Sequence, residues 1–274
     1  MKLVSYGRFS ADLNKGGLAF AAAHSASLGF EAVEFLDVGE PRARTVAQAR
    51  ADRAILEKNG LSVACYSMFA DLWNNEANSI LDVLDYVAAL GAPLFHHTLL
   101  PDFARTPASP TYEQALARIL PRAVAVAKRA NALGMTVIYE PQGLYFNGCE
   151  GLGRFIAEMK KNGCGVGFCA DLGNPLFVDA DPVAVLKHLI ADVRHVHVKD
   201  YTLGDVEVPG LEGYWLENGK RLTVTELGTG MVDNPRGIEV LRGTGYDGAV
   251  ALEFAASDEE MKRSMQYVQK LWQK

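Results

Sequence analysis

Residues 165–201 read GVGFCADLGNPLFVDADPVAVLKHLIADVRHVHVKDY: an apolar run that stops on Asp171, a helix-forming middle, and a second apolar run carrying His195 and His197. Asp181 is a good N-cap, and Pro182 suits the first helical position, where its missing N–H costs nothing. Val183, Leu186, Leu189 and Ile190 mostly follow at helical spacing. Strand, helix and strand make a βαβ unit, and a right-handed crossover sets the two strands parallel. Asp171 and His197 are then expected at the same end of neighbouring strands. Strand side chains alternate, so His195, His197 and Lys199 share one face while Val196 and Val198 share the other.

Working outward, Gly29, Gly60, Gly91, Gly134, Gly163 and Gly245 each close a segment of helical pattern just before an apolar, strand-like run. Glycine stops a helix in the left-handed conformation, so each marks a helix-to-strand joint. Most intervals are about 30 residues, the length of one βα unit. Strands are read at 2–6, 32–36, 61–67, 94–98 and 135–140, in runs ending at Asp171 and near Lys199, and at 249–254. Helices are read at 17–28, about 45–58, 79–90, 112–127, 152–161, from Pro182, from Asn234, and at 258–272. Pro121 is expected to bend or restart its helix, and Ser257 with Glu260 forms a capping box for the last one. Residues 202–232 are too long for a plain βα loop and are read as an insertion near the site, a hairpin or a lid. Eight strands alternating with helices over residues 1–274 point to α/β architecture, a single (β/α)8 TIM-barrel domain. The fallback, a doubly wound open sheet, lacks a G-x-G-x-x-G after the first strand.

The formal charge of −6 argues against nucleic acid or an acidic membrane as partner, since both demand a basic surface. Cys65, Cys149, Cys164 and Cys169 form no C-x-x-C pair and read as reduced, mostly buried thiols. The polar start MKLVSYGRFS does not read as a signal sequence, and no apolar run approaches 18 residues. The expectation is a soluble, cytoplasmic protein; nothing fixes the subunit count, and a homo-oligomer is allowed.

In a barrel, four consecutive strands would present Glu140, Asp171, His197 and Glu253 at their C-terminal ends, each the polar residue closing an apolar run: VIYE, GFCAD, HVH and VALE. Any one alone reads as a loop-facing or capping group. Together, three carboxylates and an imidazole are a divalent-metal ligand set, because burying the acids without a cation would be very costly. The oxygen-rich mixture suits one octahedral ion, Mn²⁺, Mg²⁺ or Co²⁺, with Zn²⁺ also accommodated. His195 reads as a core or supporting histidine. Of His96 and His97, His97 is preferred as a site residue, and Lys199, in phase with His197, as a group that polarises a carbonyl or donates a proton. LGTG at 227–230 reads as a turn beside the site, since it lacks a phosphate-loop pattern.

With YEP at Glu140, ADLGN at Asp171, HVHVKD at His197, LGTGMVD near Gly228 and GYDGAVALEF at Glu253, nearly the whole chain resembles the xylose-isomerase-like TIM barrels. That group includes sugar isomerases, ketose 3-epimerases, inosose dehydratases and endonuclease IV nucleases. The resemblance implies that Glu140, Asp171, His197 and Glu253 are metal ligands and that Glu140 and Glu253 exchange protons with substrate from opposite sides. It has departures. Ketose 3-epimerases of the group usually show Asp-x-x-His and an Arg six residues after the His; Asn174 and Leu203 stand there instead. The three-zinc nucleases need further His and Asp ligands, and Ser67 stands where the third strand would offer one.

The expected chemistry is proton abstraction beside a carbonyl, through an enediolate, on a sugar or polyol. Glu140 and Glu253 are the expected catalytic residues; His97, Asn174 and Lys199 are expected to contact substrate. No phosphate cradle is recognisable, so a non-phosphorylated sugar or keto-sugar is preferred. Isomerase or epimerase stands first and an inosose or keto-sugar dehydratase second. A nuclease or a silent binding module ranks below both.

Overall fold

The structure, a computed structural model, describes residues 1–37, 44–100 and 106–273. The six glycines singled out above all have positive φ, between 72° and 97°, and each lies between a helix and the strand after it. The strands are β1 (Lys2–Ser5), β2 (Ala32–Asp37), β3 (Ser62–Met68), β4 (Leu94–His97), β5 (Thr136–Tyr139), β6 (Val166–Asp171), β7 (Val193–Val198), β8 (Asp200–Gly204), β9 (Gly213–Trp215), β10 (Arg221–Thr225) and β11 (Ala249–Leu252). The helices are α1 (Gly7–Leu28), α2 (Val46–Lys58), α3 (Asn78–Leu81), α4 (Leu84–Leu90), α5 (Tyr112–Ala132), α6 (Cys149–Lys161), α7 (Pro182–His188), α8 (Asn234–Gly243) and α9 (Asp258–Gln273).

Strands β1, β11, β7, β6, β5, β4, β3 and β2 pair in that order, all parallel, and close on themselves, so the fold is a (β/α)8 barrel. Asp171 and His197 are direct register partners on β6 and β7, and Ala251 of β11 pairs with His197 from the other side. The main apolar core lies between sheet and helices, while two smaller clusters (Val4, Tyr6, Ala32, Ala64 and Ala251; Cys65, Ile138 and Cys169) are built on inward-facing positions. Among the described residues, no helix is long and apolar enough to cross a membrane.

Three helices differ from expectation. Helix α1 begins at Gly7, ten residues before the expected start; Gly17 (φ 74°, ψ 179°) breaks it rather than opening it. The segment 79–90 is two short helices, α3 and α4. Helix α5 runs uninterrupted through Pro121. Proline deprives the carbonyl four residues back of its partner, here Ala117, and both residues are exposed, so that carbonyl is not sealed from solvent.

The inserted segment forms an antiparallel sheet ordered β8, β10, β9, which begins at Asp200, two residues earlier than expected. Its first strand is tied to the turn that follows its last by Asp200, which accepts from the backbone N–H groups of Gly228 (2.9 Å), Gly230 (3.0 Å) and Val232 (3.0 Å). A Cβ at Gly230 would stand 2.3 Å from Asp200 Oδ1, so glycine is required for that approach.

Candidate metal centre and active site

Inward parity along each strand decides which side chains meet at the mouth. Glu140 follows β5, Asp171 ends β6, His197 is inward on β7 and Glu253 follows β11. Ligating atoms of these four lie within 4.8 Å of one another. His197 Nδ1 stands 3.0 Å from Glu140 Oε2, 3.0 Å from Glu253 Oε2 and 3.7 Å from Asp171 Oδ2. All four atoms are buried, and none makes a hydrogen bond of acceptable geometry. They are near one another but do not point along one another's bonds. Ligands about 2.1 Å from an octahedral ion lie about 3 Å from their neighbours, so the convergence fits a cation-holding set.

Lys199 is the competing explanation. Its Nζ lies 2.9 Å from Asp171 Oδ2 and 2.8 Å from Glu253 Oε2, and donates to Asn174 Oδ1 at 2.8 Å. The two carboxylate contacts are ion pairs by distance but not hydrogen bonds by angle, and Glu140 Oε2 and His197 Nδ1 remain without partners. One ammonium therefore does not complete the cluster.

The other Asp171 oxygen is fully engaged: Oδ1 accepts from the N–H groups of Gly173 (2.7 Å) and Asn174 (2.6 Å), which leaves Oδ2 to face the cluster. A Cβ on Gly173 would lie 2.7 Å from Lys199 Cγ, so this turn needs glycine. Burial works against ionisation of Asp171, but Lys199 and His197 overcome it and hold its carboxyl below the usual range. Burial pushes Glu253 up to about 7, against the pull of Lys199. For Lys199, burial would lower the pKa, but Asp171 and Glu253 keep it well above the ordinary lysine value.

A cavity of about 390 Å³ opens over the cluster, lined by Tyr6, Ser10, Ser67, His96, Thr98, Glu140, Gln142, Asn174, Lys199 and Glu253 and capped by Glu212, Tyr214 and Val224 from the inserted segment. Phe177 packs edge-on against Tyr201 and Tyr214, ring centroids 6.0 and 5.2 Å away, as an aromatic wall. Asn174 and Lys199 line the cavity; His97 does not. It faces outward, 5.3 Å from the Tyr139 ring, with Nδ1 3.1 Å from the carbonyl oxygen of Thr98. His96 is the member of the pair that faces in, 4.0 Å from Glu140, and burial lowers its pKa to about 3, so it is a neutral imidazole there. The sequence reading also missed Ser10 and Gln142, whose Oγ and Oε1 are buried without partners, and Glu34, which lies beneath the cluster. Only Glu34 carried a signal: an acid inside the apolar strand AVEFL.

A parallel barrel with acids and an imidazole gathered at the C-terminal ends of adjacent strands defines a class of protein with its chemistry at that mouth. The chain belongs to the xylose isomerase-like TIM barrel family, whose model matches residues 22–271. It is 31% identical over 136 residues to an inosose dehydratase of Erwinia tasmaniensis, a match covering 47% of this chain and less than half (44%) of that relative. By fold it is similar to D-psicose 3-epimerase of Clostridium cellulolyticum H10, solved with D-tagatose (TM-score 0.71, 15% identity, 99% of each chain). It is likewise similar to the IOLI protein with a bound zinc atom (TM-score 0.73, 12% identity, 99% of this chain and 98% of that one). At such identities the structures speak for the fold alone.

Proposed function

We propose that the protein is a divalent-metal-dependent sugar isomerase or epimerase acting on a non-phosphorylated sugar or keto-sugar. The observation that carries this reading is the set of four converging ligand atoms without hydrogen bonds, from Glu140, Asp171, His197 and Glu253, beside a cavity of about 390 Å³ that Glu140 and Glu253 line. Those residues would hold one ion, which would supply positive charge where an enediolate develops. Glu140 and Glu253 enter from strands on opposite flanks of the β6–β7 pair, so one carboxylate takes the proton beside the carbonyl while the other faces the far side. The C–H electron pair becomes the enediolate double bond; return of a proton to the same carbon from the far side gives the epimer, and return to the former carbonyl carbon, with the neighbouring hydroxyl proton passing to the former carbonyl oxygen, gives the isomer. Lys199 orients the carbonyl oxygen, and the Phe177–Tyr201–Tyr214 wall shields the ring from water. No arginine is among the described residues lining the cavity, which favours a neutral substrate over a phosphate.

The inosose dehydratase match favours a second reading with the same groups: after proton removal, a β-hydroxyl leaves as water. Solvent-deuterium incorporation followed by NMR across ketoses, keto-sugars and inososes tests both. A substrate should exchange one carbon-bound hydrogen, and Glu140→Gln and Glu253→Gln should each abolish exchange. Full activity in both variants removes these residues from catalysis; an unsaturated or diketo product selects dehydration.

A further inference from the structure

Glu34 is fully buried one layer below the cluster, and three polar side chains surround its carboxylate. Ser67 Oγ donates to Oε1 at 2.6 Å, His195 Nε2 lies 2.7 Å from Oε2, and His197 Nε2 lies 3.2 Å from both oxygens. The register irregularity between β2 and β3 falls at Val33/Glu34, a device that re-aims a side chain. The two edges of the His197 ring therefore face different acids: Nδ1 faces Glu140, Asp171 and Glu253, and Nε2 faces Glu34. Tyr6 and His195 flank the same ring, with centroids 5.0 and 5.1 Å away, and limit its rotation.

An ionised carboxylate only accepts, so the nitrogen facing Glu34 carries the hydrogen, and in a neutral ring the lone pair then sits on Nδ1. His195 shows the same pattern, with Nε2 on Glu34 and Nδ1 unpartnered. We propose that Glu34 is a positioning residue: it fixes His197 as the Nε2–H tautomer and turns Nδ1, as the ligating nitrogen, toward Glu140, Asp171 and Glu253, with Ser67 and His195 bracing it. This rests on the metal reading of the site. Glu34, His195 and His197 themselves form a group with ligand-like spacing. Hydrogen-bond donors already occupy both Glu34 oxygens, however, whereas the four upper atoms have no such partners.

Glu34→Gln replaces an acceptor oxygen with an NH₂ that faces a donor. The Mn²⁺ dissociation constant, read by chelator competition, should rise about 10- to 100-fold in the folded variant. An affinity within about twofold of wild type in a folded variant overturns the assignment. Should the variant fail to fold, ¹⁵N-histidine NMR of the Zn²⁺-loaded wild type decides: His197 should show a protonated Nε2 and a coordinated Nδ1. Coordination through Nε2, or through His195, overturns it. Wild-type protein that binds no divalent ion sinks the metal reading itself. Normal wild-type binding with an unaffected Glu34→Gln variant removes only Glu34's role.

Discussion

Asp171 divides its labour between two oxygens, one held by backbone N–H groups and the other turned to Lys199 and the cluster at the mouth. Such residues can be found in sequence because a strand buried on both faces is apolar until its last inward position, where VIYE, GFCAD and VALE each turn acidic. The pair His96–His97 defeated that reasoning: either phase of LFHHT closes an apolar run, and only the pairing with β3 and β5 makes His96 the inward one. Glu34 stood out as an acid in an apolar strand, but its role was not legible, since its partner His195 is 161 residues away. His96→Gln should lower kcat/KM by roughly 5- to 150-fold, the loss of one substrate hydrogen bond worth about 1–3 kcal/mol. His97→Phe should leave kcat/KM within about twofold while lowering the melting temperature through its lost bonds to Thr98 and Tyr139. Steady-state kinetics and thermal melts of the two variants check this, and the reverse pattern would return His97 to the site.

Helix α1 meets α9 through a small polar cluster. His24 Nδ1 lies 2.7 Å from Asp12, its Nε2 lies 3.1 Å from Asp258, and Arg8 reaches both acids. Burial lowers the His24 pKa, but the bonds to Asp12 and Asp258 outweigh it and leave it raised. A folded pKa above the unfolded value of about 6.5 gives stability that is complete below that value and lost as pH rises through the folded pKa. The melting-temperature gap between wild type and His24→Gln should therefore be widest below about pH 6.5 and narrow as pH rises above it; a gap independent of pH would contradict the ion pairing. This cluster also accounts for a misreading: Asp12 binds Arg8 one turn back within the early part of α1, which the Gly16–Gly17 pair had disguised as the approach to a helix. The strand-to-helix rhythm itself was legible, because its glycine joints depend on local backbone geometry and not on distant partners.

The barrel brings residues from four strands to one point because its register sets Asp171 beside His197 and Ala251, two residues before Glu253, on the far side of His197. Alternation and crossover handedness carry that arrangement from sequence to space, so the fold and the convergence of the four side chains could be anticipated together. The inserted segment could be anticipated as a hairpin or lid near the site but not in its pairing; its Tyr214 and Val224 belong to a three-stranded antiparallel sheet and line the cavity with the adjoining Glu212. The account stands on the four converging atoms being a coordination sphere. Crystals soaked in Mn²⁺ and measured at a wavelength where manganese scatters anomalously test this directly. The account predicts one anomalous peak per chain, enclosed by Glu140, Asp171, His197 and Glu253. A saturating soak that leaves that point empty, or places the ion elsewhere, would contradict it.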